Sequence, residues 1–530
     1  MTASGNLTGW MLERFAAPGV GARVALRQGE RQLSYAELST LVVRIADVLR
    51  GLGLARGERV ALFMRDTMET AASILGIVHA GGVAVPLSEL MTADDVKRYL
   101  KHCGATMAIV EARLEPLLDE VRSELPALRE VLCVGLGDQP ANERRERDFF
   151  SSVARATGDG AAMPCAPTDV AMLLYSAGFA AEDLRAVPHS LATVSAAFDS
   201  CARGLFGLTD EDCVLSVGRL TTAYGLGSGL LFPLLAGAQA VLLPEQPKSE
   251  AIFRLIVDVK PTVFFATPSI YSQLTFDSAT AGSAKPLAGL RLAVAGAEGM
   301  PEHLIPKIRT VLGTEVVVGY GLTELFQFAL AGRSDDRGNR AGVCGRPLPG
   351  VQARVVDDDG DPVEANEIGT LQLAAGSMFA GYWPDSLTSG DIRDGWFTTH
   401  DRFLVDGNGD YHHCGRVDDL FKVGGKWVSP VEVERALTAH EAVWECAVIG
   451  STDEEGLVKP LAFVVTNVGH QGGPALENEL QEYVKTVLAP YKYPRWIDFV
   501  DALPRGPGGK ILRYKLKPQR RRRRAETGHG

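Results

Sequence analysis

Gly319-Tyr320-Gly321-Leu322-Thr323-Glu324 sets a ring, a hydroxyl and a carboxylate side by side directly after an apolar run, EVVV. Tyr320 can stack on a planar base, the flanking glycines admit close backbone approach, Thr323 can donate to a phosphate, and Glu324 can hold a hard cation such as magnesium. Further along, Trp396-Phe397-Thr398-Thr399-His400-Asp401 ends in a carboxylate, an acceptor-only group suited to both hydroxyls of a ribose. Gly415-Arg416-Val417-Asp418-Asp419 adds a guanidinium at a plausible interdomain pivot. Leu503-Pro504-Arg505-Gly506-Pro507-Gly508-Gly509-Lys510 presents one lysine on a glycine-rich loop. Each segment alone reads equally well as a turn or a solvated charge; their order along one chain is what points to nucleotide chemistry.

One segment breaks that pattern. An apolar run from Val170 to Ser176 and a helical pattern from about Leu191 predict a strand-to-helix corner, a place where backbone N–H groups and a helix N-terminus commonly hold phosphate. Within it, Ser176, Ala177 and Gly178 are followed by Phe179, and Glu182 and Asp183 stand where a cation would be useful. A carboxylate about 4 Å from a phosphate oxygen costs on the order of 4 kcal/mol at an effective dielectric of 20. That is roughly three decades in binding. The same residues also suit an ordinary solvent-facing loop.

These groups need a scaffold, and the chain has one. Its 530 residues, 46% hydrophobic, suffice for at least two domains. Up to about residue 350, apolar runs such as RVALFM, VAVPL, TMAIV, TVFFATPS and RLAVAG alternate with helical patterns, the rhythm of a parallel sheet with crossover helices. Between about 340 and 415, brief strands separated by Gly, Asp and Asn turns predict a small antiparallel sheet or barrel. Beyond Gly415–Asp419 the pattern reads helix, strand, strand, helix, strand, enough for a separate lid. The expected division is 1–417, 418–517 and a disordered basic tail, 518–530.

A net charge of −11 and a pI near 5.5 argue against nucleic-acid binding, and the arginine run at 520–524 reads as a frayed tail. The 8 cysteines are scattered without metal-like spacing, so reduced thiols are expected. Neither a leader-like N-terminus nor a membrane-length apolar run is present, which predicts a cytoplasmic protein with no membrane partner.

Taken in order, these motifs resemble the adenylate-forming superfamily of acyl-CoA synthetases, adenylation domains and luciferases, most closely its benzoate and aryl-CoA ligase branch. The similarity runs from about Leu33 to Lys517 and includes AYGLGSGLLFPL at 223–234, KPTVFFATPSIY at 260–271, AVAGAEGMP at 293–301 and CGRVDDLFKVGGKWVSPVEVE at 414–434. It implies an α/β fold with a large N-terminal domain of two packed sheets plus a small β-barrel, and a small mobile α+β C-terminal domain.

It further implies that Tyr320 stacks on adenine, Asp401 binds the ribose, Thr323 and Arg416 contact the adenylate, and Glu324 supports magnesium. Gly321, Gly296, Ala297 and Glu298 would line the AMP side. His189, Tyr224, Gly225 and Gly319 would line the acyl pocket, where the small residues Gly225, Gly227, Ser228 and Ala297 hint at room for a bulky acid or simply pack backbone. Asp418 would be the hinge, Lys510 would bridge carboxylate and phosphate during adenylation, and Gly424, Gly425, Lys426 and Trp427 would line a CoA tunnel.

The superfamily activates a carboxylate with ATP and then passes the acyl group to CoA; only the first step needs the β- and γ-phosphates held. Its Ser/Thr- and Gly-rich loop ending Pro-Lys-Gly is replaced here by SAGFAAEDLRAVP, one residue different in length. Arg185 could stand in for the lysine, but Glu182 and Asp183 oppose it. The favoured expectation is an enzyme that takes a preformed acyl-adenylate and CoA, supplied by a separate adenylating enzyme, similar to non-adenylating ligases of platensimycin and platencin biosynthesis. The retained Lys510 and Glu324 keep open a complete ATP- and magnesium-using ligase. A silent acyl-adenylate-binding scaffold is the third reading.

Overall fold

The computed structural model describes residues 5–135, 147–158, 160–176, 184–280, 289–301, 304–333, 343–384, 390–417, 419–424, 426–453, 455–505, 511 and 513–516. Apolar runs without alternation become strands covered on both faces. Val83–Leu87, Val263–Ala266 and Leu292–Ala295 are buried along their whole lengths, as central parallel strands must be.

Two sheets carry the N-terminal part. Among the described residues, the first has seven strands, in the order Arg147–Asp148, Glu130–Val134, Met107–Glu111, Arg59–Phe63, Val83–Leu87, Val170–Tyr175 and Ala186–Ser190. The second has fourteen and contains a parallel stretch, Cys213–Ser216, Val263–Ala266, Leu292–Ala295 and Val316–Gly321, whose carboxyl ends share one edge. Val316–Gly321 then pairs antiparallel with Phe328–Arg333, so the parallel run stops there. The crevice outside such ends is where open α/β sheets bind ligands. Helix Met68–His79 has no polar stripe, is buried at every position, and touches strands of both sheets. It is the layer on which they pack.

The predicted strand-to-helix corner at 176–190 is corrected by the structure. Ala186–Ser190 is a strand, paired antiparallel with Val170–Tyr175 from Tyr175↔Ala186 to Val170↔Ser190, and only then does helix Leu191–Ala197 begin, capped by Ser190. Pro188 obscured it in the sequence, yet proline is tolerated on an edge strand, and this strand closes its sheet. The chain thus returns along strand Ala186–Ser190 before helix Leu191–Ala197 starts.

Strands Val343–Pro347, Val351–Val356, Gly369–Ala375, Trp396–Val405 and Tyr411–Arg416 form the expected antiparallel unit. They continue the second sheet as an open ladder among the described residues, without barrel closure. Near the C-terminus, Val443–Thr452, Val458–Thr466 and Trp496–Phe499 make a separate three-stranded sheet with helices Pro430–Thr438 and Pro474–Val487, over a core that includes Val433, Leu437, Leu480, Val484 and Ile497. The result is an α/β fold with a large N-terminal and a smaller C-terminal domain. No helix among the described residues is long and apolar enough to cross a membrane.

Gly76 sets how closely the buried central helix approaches helix Tyr35–Gly51. A Cβ there would stand 2.6 Å from Ile45 Cγ2 and 3.2 Å from the Val42 carbonyl. G76V should destabilise the fold by about 1–3 kcal/mol. A lower urea midpoint at unchanged slope is the expected result.

Candidate active site

The strand pair Trp396–Val405 and Tyr411–Arg416 brings Asp401 opposite Arg416, and strand Val316–Gly321 delivers Tyr320 to the same point. Tyr320 donates its hydroxyl to Asp401 Oδ2 at 2.8 Å, and His413 Nε2 lies 3.1 Å from Oδ1. The Tyr320 ring stacks on His413 at 5.9 Å and meets Phe403 edge-on at 4.8 Å. Burial raises the Asp401 carboxyl, but His413, Tyr320 and Arg416 outweigh it, so Asp401 titrates below its ordinary value. The predicted base and ribose groups thus form one hydrogen-bonded unit around the buried Asp401. His413 was missed; its signal was hairpin pairing, which sets it beside Asp401 across the strands.

Thr323 and Glu324 sit in the 3-10 turn Thr323–Leu325, at the end of the strand that carries Tyr320. Gly319 and Gly321 are dictated by packing: a Cβ would come within 2.3 Å of the Phe328 ring or 2.5 Å of the Gln327 carbonyl. Glu324 is 4% exposed and accepts the Tyr382 hydroxyl at 2.7 Å on Oε1. The Arg185 guanidinium lies over the ring of that tyrosine, its Cζ 5.1 Å from the ring centre. Among the described residues there is no cluster of three His, Cys, Asp or Glu that could hold a metal.

On the neighbouring strand's end lie Gly296, Ala297 and Glu298. A Cβ on Gly296 would meet Phe328 at 2.4 Å, and Ala297 adopts φ 68, a left-handed conformation that alanine rarely takes. Glu298 Oε2 accepts from the Ser269 N–H at 3.0 Å and the Ser269 hydroxyl at 2.5 Å, while burial raises its carboxyl's pKa. Ser269 Oγ in turn accepts from Arg505 Nη1 at 2.9 Å. Arg505 is also paired with Glu445, and Trp444 packs edge-on against Phe276 at 4.7 Å. Helix Pro268–Thr280 is thus the surface on which the C-terminal domain docks, a role the sequence did not signal.

On the acyl side, Tyr224 directs its hydroxyl to the Ala266 and Val294 carbonyls, both at 3.2 Å, and its ring stacks with Phe328 at 5.8 Å. Gly225, Gly227 and Ser228 serve packing: Cβ atoms on the glycines would meet the Arg219 carbonyl at 2.1 Å and the Gln327 amide at 2.5 Å, and Ser228 bonds the Tyr224 carbonyl at 2.6 Å. His189 is 1% exposed against Phe326, and neither ring nitrogen has a hydrogen-bond partner among the described residues. Burial lowers its pKa to about 3, weakly opposed by the Thr323 backbone, so it is neutral near neutrality. Gly424 has φ 56, and Lys426 places its ammonium 5.0 Å from the Tyr491 ring centre. Ser176 donates its N–H to the Arg185 carbonyl at 3.0 Å. Ala177, Gly178, Phe179, Glu182, Asp183, Asp418, Gly425, Lys510, the Trp427 side chain and the tail lie outside the described residues.

Residues 12–383 match the family model described as AMP-binding enzyme, and 432–510 match its C-terminal domain. The chain belongs to the AMP-binding enzyme family. Within this adenylate-forming superfamily it is aryl- and benzoate-CoA ligase-like. It is 34% identical over 512 residues to the benzoate–CoA ligase of Thauera aromatica, covering 96% of this chain and 94% of that protein. It is 34% identical over 508 residues to the 4-hydroxybenzoate–CoA/benzoate–CoA ligase of Rhodopseudomonas palustris, covering 96% and 92%. Among solved structures it superposes on the anthranilate CoA ligase AuaEII in complex with anthranoyl-AMP with a TM-score of 0.89 at 31% identity, covering 96% of each chain. It also matches a benzoate CoA ligase from Burkholderia xenovorans LB400 with a TM-score of 0.87 at 31% identity, covering 97% and 100%.

Two outcomes follow from this geometry. The unfolded His189 imidazole takes up a proton near pH 6.5 but the folded one only near 3, so its contribution is present above 6.5 and lost as pH falls. Between pH 7.5 and 5 the wild type should lose about 2 kcal/mol that H189Q does not, read by urea unfolding at both pH values. S269A removes the hydroxyl shared by Arg505 and Glu298, so trypsin should cut the 416–422 segment about fivefold faster, the size of one hydrogen bond, with S269T restoring protection.

Proposed function

We propose that the chain is an acyl-CoA ligase that performs the CoA-transfer half of the family's chemistry, taking a preformed acyl-adenylate made by a separate enzyme. The carrying observation is a contrast. The AMP side is built from mutually bonded groups, Tyr320 and His413 on the buried Asp401. The segment that should grip pyrophosphate offers Phe179, Glu182 and Asp183 in place of hydroxyls, glycine and lysine, and it connects two antiparallel strands whose ends are joined by the Ser176–Arg185 bond. Residues 177–183 supply no cation of their own for β- and γ-phosphates.

The thiol sulfur of CoA attacks the acyl carbon, the bond from that carbon to the phosphate oxygen breaks, AMP departs with the electron pair, and the thiol proton goes to solvent. Thr323 and Arg416 would steady the departing phosphate, Tyr320 and Asp401 would hold the nucleoside, and the work is placement and charge stabilisation. Asp418 would let the lid turn, and Gly424, Gly425, Lys426 and Trp427 would admit the pantetheine arm. The acids named for the relatives, benzoate, hydroxybenzoate and anthranilate, make an aromatic or other cyclic acyl group the first choice. We place the enzyme in the cytoplasm and in natural-product biosynthesis of the platensimycin and platencin kind.

A complete ATP-dependent ligase is the second reading, favoured by Arg185, a cation adjoining the altered loop, and by the retained Lys510. Benzoyl-adenylate, anthraniloyl-adenylate and bulkier cyclic acyl-adenylates, each with CoA and no ATP, separate these readings. Thioester and AMP should form, while free acid should support no exchange of labelled pyrophosphate into ATP. Rapid thioester formation from free acid, ATP and CoA by the purified protein alone would refute the half-reaction reading; absence of turnover with every adenylate would favour a binding protein.

A further inference from the structure

A cavity of about 350 Å³ opens beside the first sheet, and none of the residues in its wall belongs to the site described above. It lies at the amino ends of strands Arg59–Phe63 and Val83–Leu87, because Arg59 and Val83, the first residue of each, are part of that wall. The volume is at the small end of the range for ligand pockets. Arg56 and Gly57 are exposed at the rim, whereas Val83, Leu173 and Leu191 are buried, so a charged mouth leads to an apolar floor.

Charge is unevenly matched in this wall. Its charged residues are Arg56, Arg59 and Asp169. Arg56 is paired with Asp169 Oδ2, which also accepts the Ala166 N–H at 2.9 Å. Arg59 pairs with no carboxylate among the described residues; its guanidinium donates to the carbonyls of Cys103, Gly57 and Gly104 at 2.8, 3.1 and 3.0 Å. A guanidinium carries five N–H donors, so two remain. Trp383 lies against this cation, with Arg59 Cζ 5.2 Å from the ring centre, and the Trp383 N–H, donated to the Ala186 carbonyl at 2.8 Å, fixes the backbone that carries the indole. Helix Leu7–Phe15 also starts in the wall with no acid in its first turn, so its positive end adds to the same field. Two guanidiniums against one carboxylate leave one positive charge over, and it belongs to Arg59.

We propose that this cavity is a second ligand site, one that takes a small amphipathic carboxylate. An aromatic or alicyclic body would lie against Val83, Leu173 and Leu191, and the carboxylate would accept from the two N–H groups that Arg59 has left. The physical reason is complementarity. A half-buried guanidinium without a counter-ion is costly, and a carboxylate supplies the missing charge through charge-assisted hydrogen bonds. The apolar floor supplies the rest of the affinity and selects against a bare inorganic anion. This site is independent of which half-reaction the enzyme performs.

2-Naphthoate is the probe and neutral 2-naphthamide the control, each titrated by calorimetry into the full chain. Naphthoate should bind with a Kd of about 1 mM or tighter. Naphthamide should bind about tenfold more weakly, the size of one charge-assisted hydrogen bond. Hydrogen exchange on the wild type gives the location without any variant: naphthoate should slow exchange at 55–59 and 166–171, whereas occupation of the acyl side would slow it at 223–234. R59Q should lose about tenfold in affinity, and R59K should recover part of that loss, because it restores charge without the planar fork. V170W fills the cavity and leaves Arg59 in place, so it should abolish naphthoate binding while AMP affinity stays at the wild-type value. Absence of naphthoate binding at about 10 mM, ten times the expected Kd, overturns the proposal. So do equal affinities for naphthoate and naphthamide, protection confined to 223–234, or wild-type naphthoate affinity in V170W.

Discussion

Three carboxylates, the buried Glu324 and Asp401 and the half-buried Glu298, set the conditions that the rest of the site has to meet. A buried charge without donors costs several kcal/mol, and each of these is met by groups brought from elsewhere in the chain. Asp401 takes a phenol and an imidazole, Glu324 a phenol, and Glu298 a serine through both its N–H and its hydroxyl. One of them ends in a relay, an arginine donating to a hydroxyl that donates to the carboxylate: Arg505 reaches Glu298 through Ser269.

The sheet makes this possible. Parallel strands Leu292–Ala295 and Val316–Gly321 end side by side, so Glu298 and Glu324 emerge at one edge although the chain between them is a helix and its loops. Aromatic packing holds that edge rigid. Phe328 lies where side chains on Gly296 and Gly319 would go and stacks with Tyr224, so the glycines are required by a neighbour's ring as much as by a ligand. His189, neutral and enclosed beside Phe326, extends the same apolar wall.

The hairpin at 170–190 gives the altered loop a structural meaning. A strand running straight into a helix would aim that helix's free N–H groups at an anion. Here Ser190 caps the helix only after the chain has returned along the sheet edge, and Arg185, at the start of the return, is drawn toward Tyr382 and Asp391. Charge at this edge therefore comes from side chains held between segments.

Much of this protein was legible in its residues alone. Unbroken apolar runs can only be satisfied as doubly covered strands, so the parallel core and the order of the C-terminal elements could be read directly. The motifs at 319–324, 396–401 and 415–419 named Tyr320, Asp401 and Arg416, which the fold brings together. Partners distant in sequence could not be read that way. His413 beside Asp401, Tyr382 on Glu324, Ser269 between Arg505 and Glu298, and the strand hidden by Pro188 depend on register and on which segments lie next to one another. A side chain's type is a local property, whereas its partner is set by the packing of the whole chain, and only the folded structure decides it.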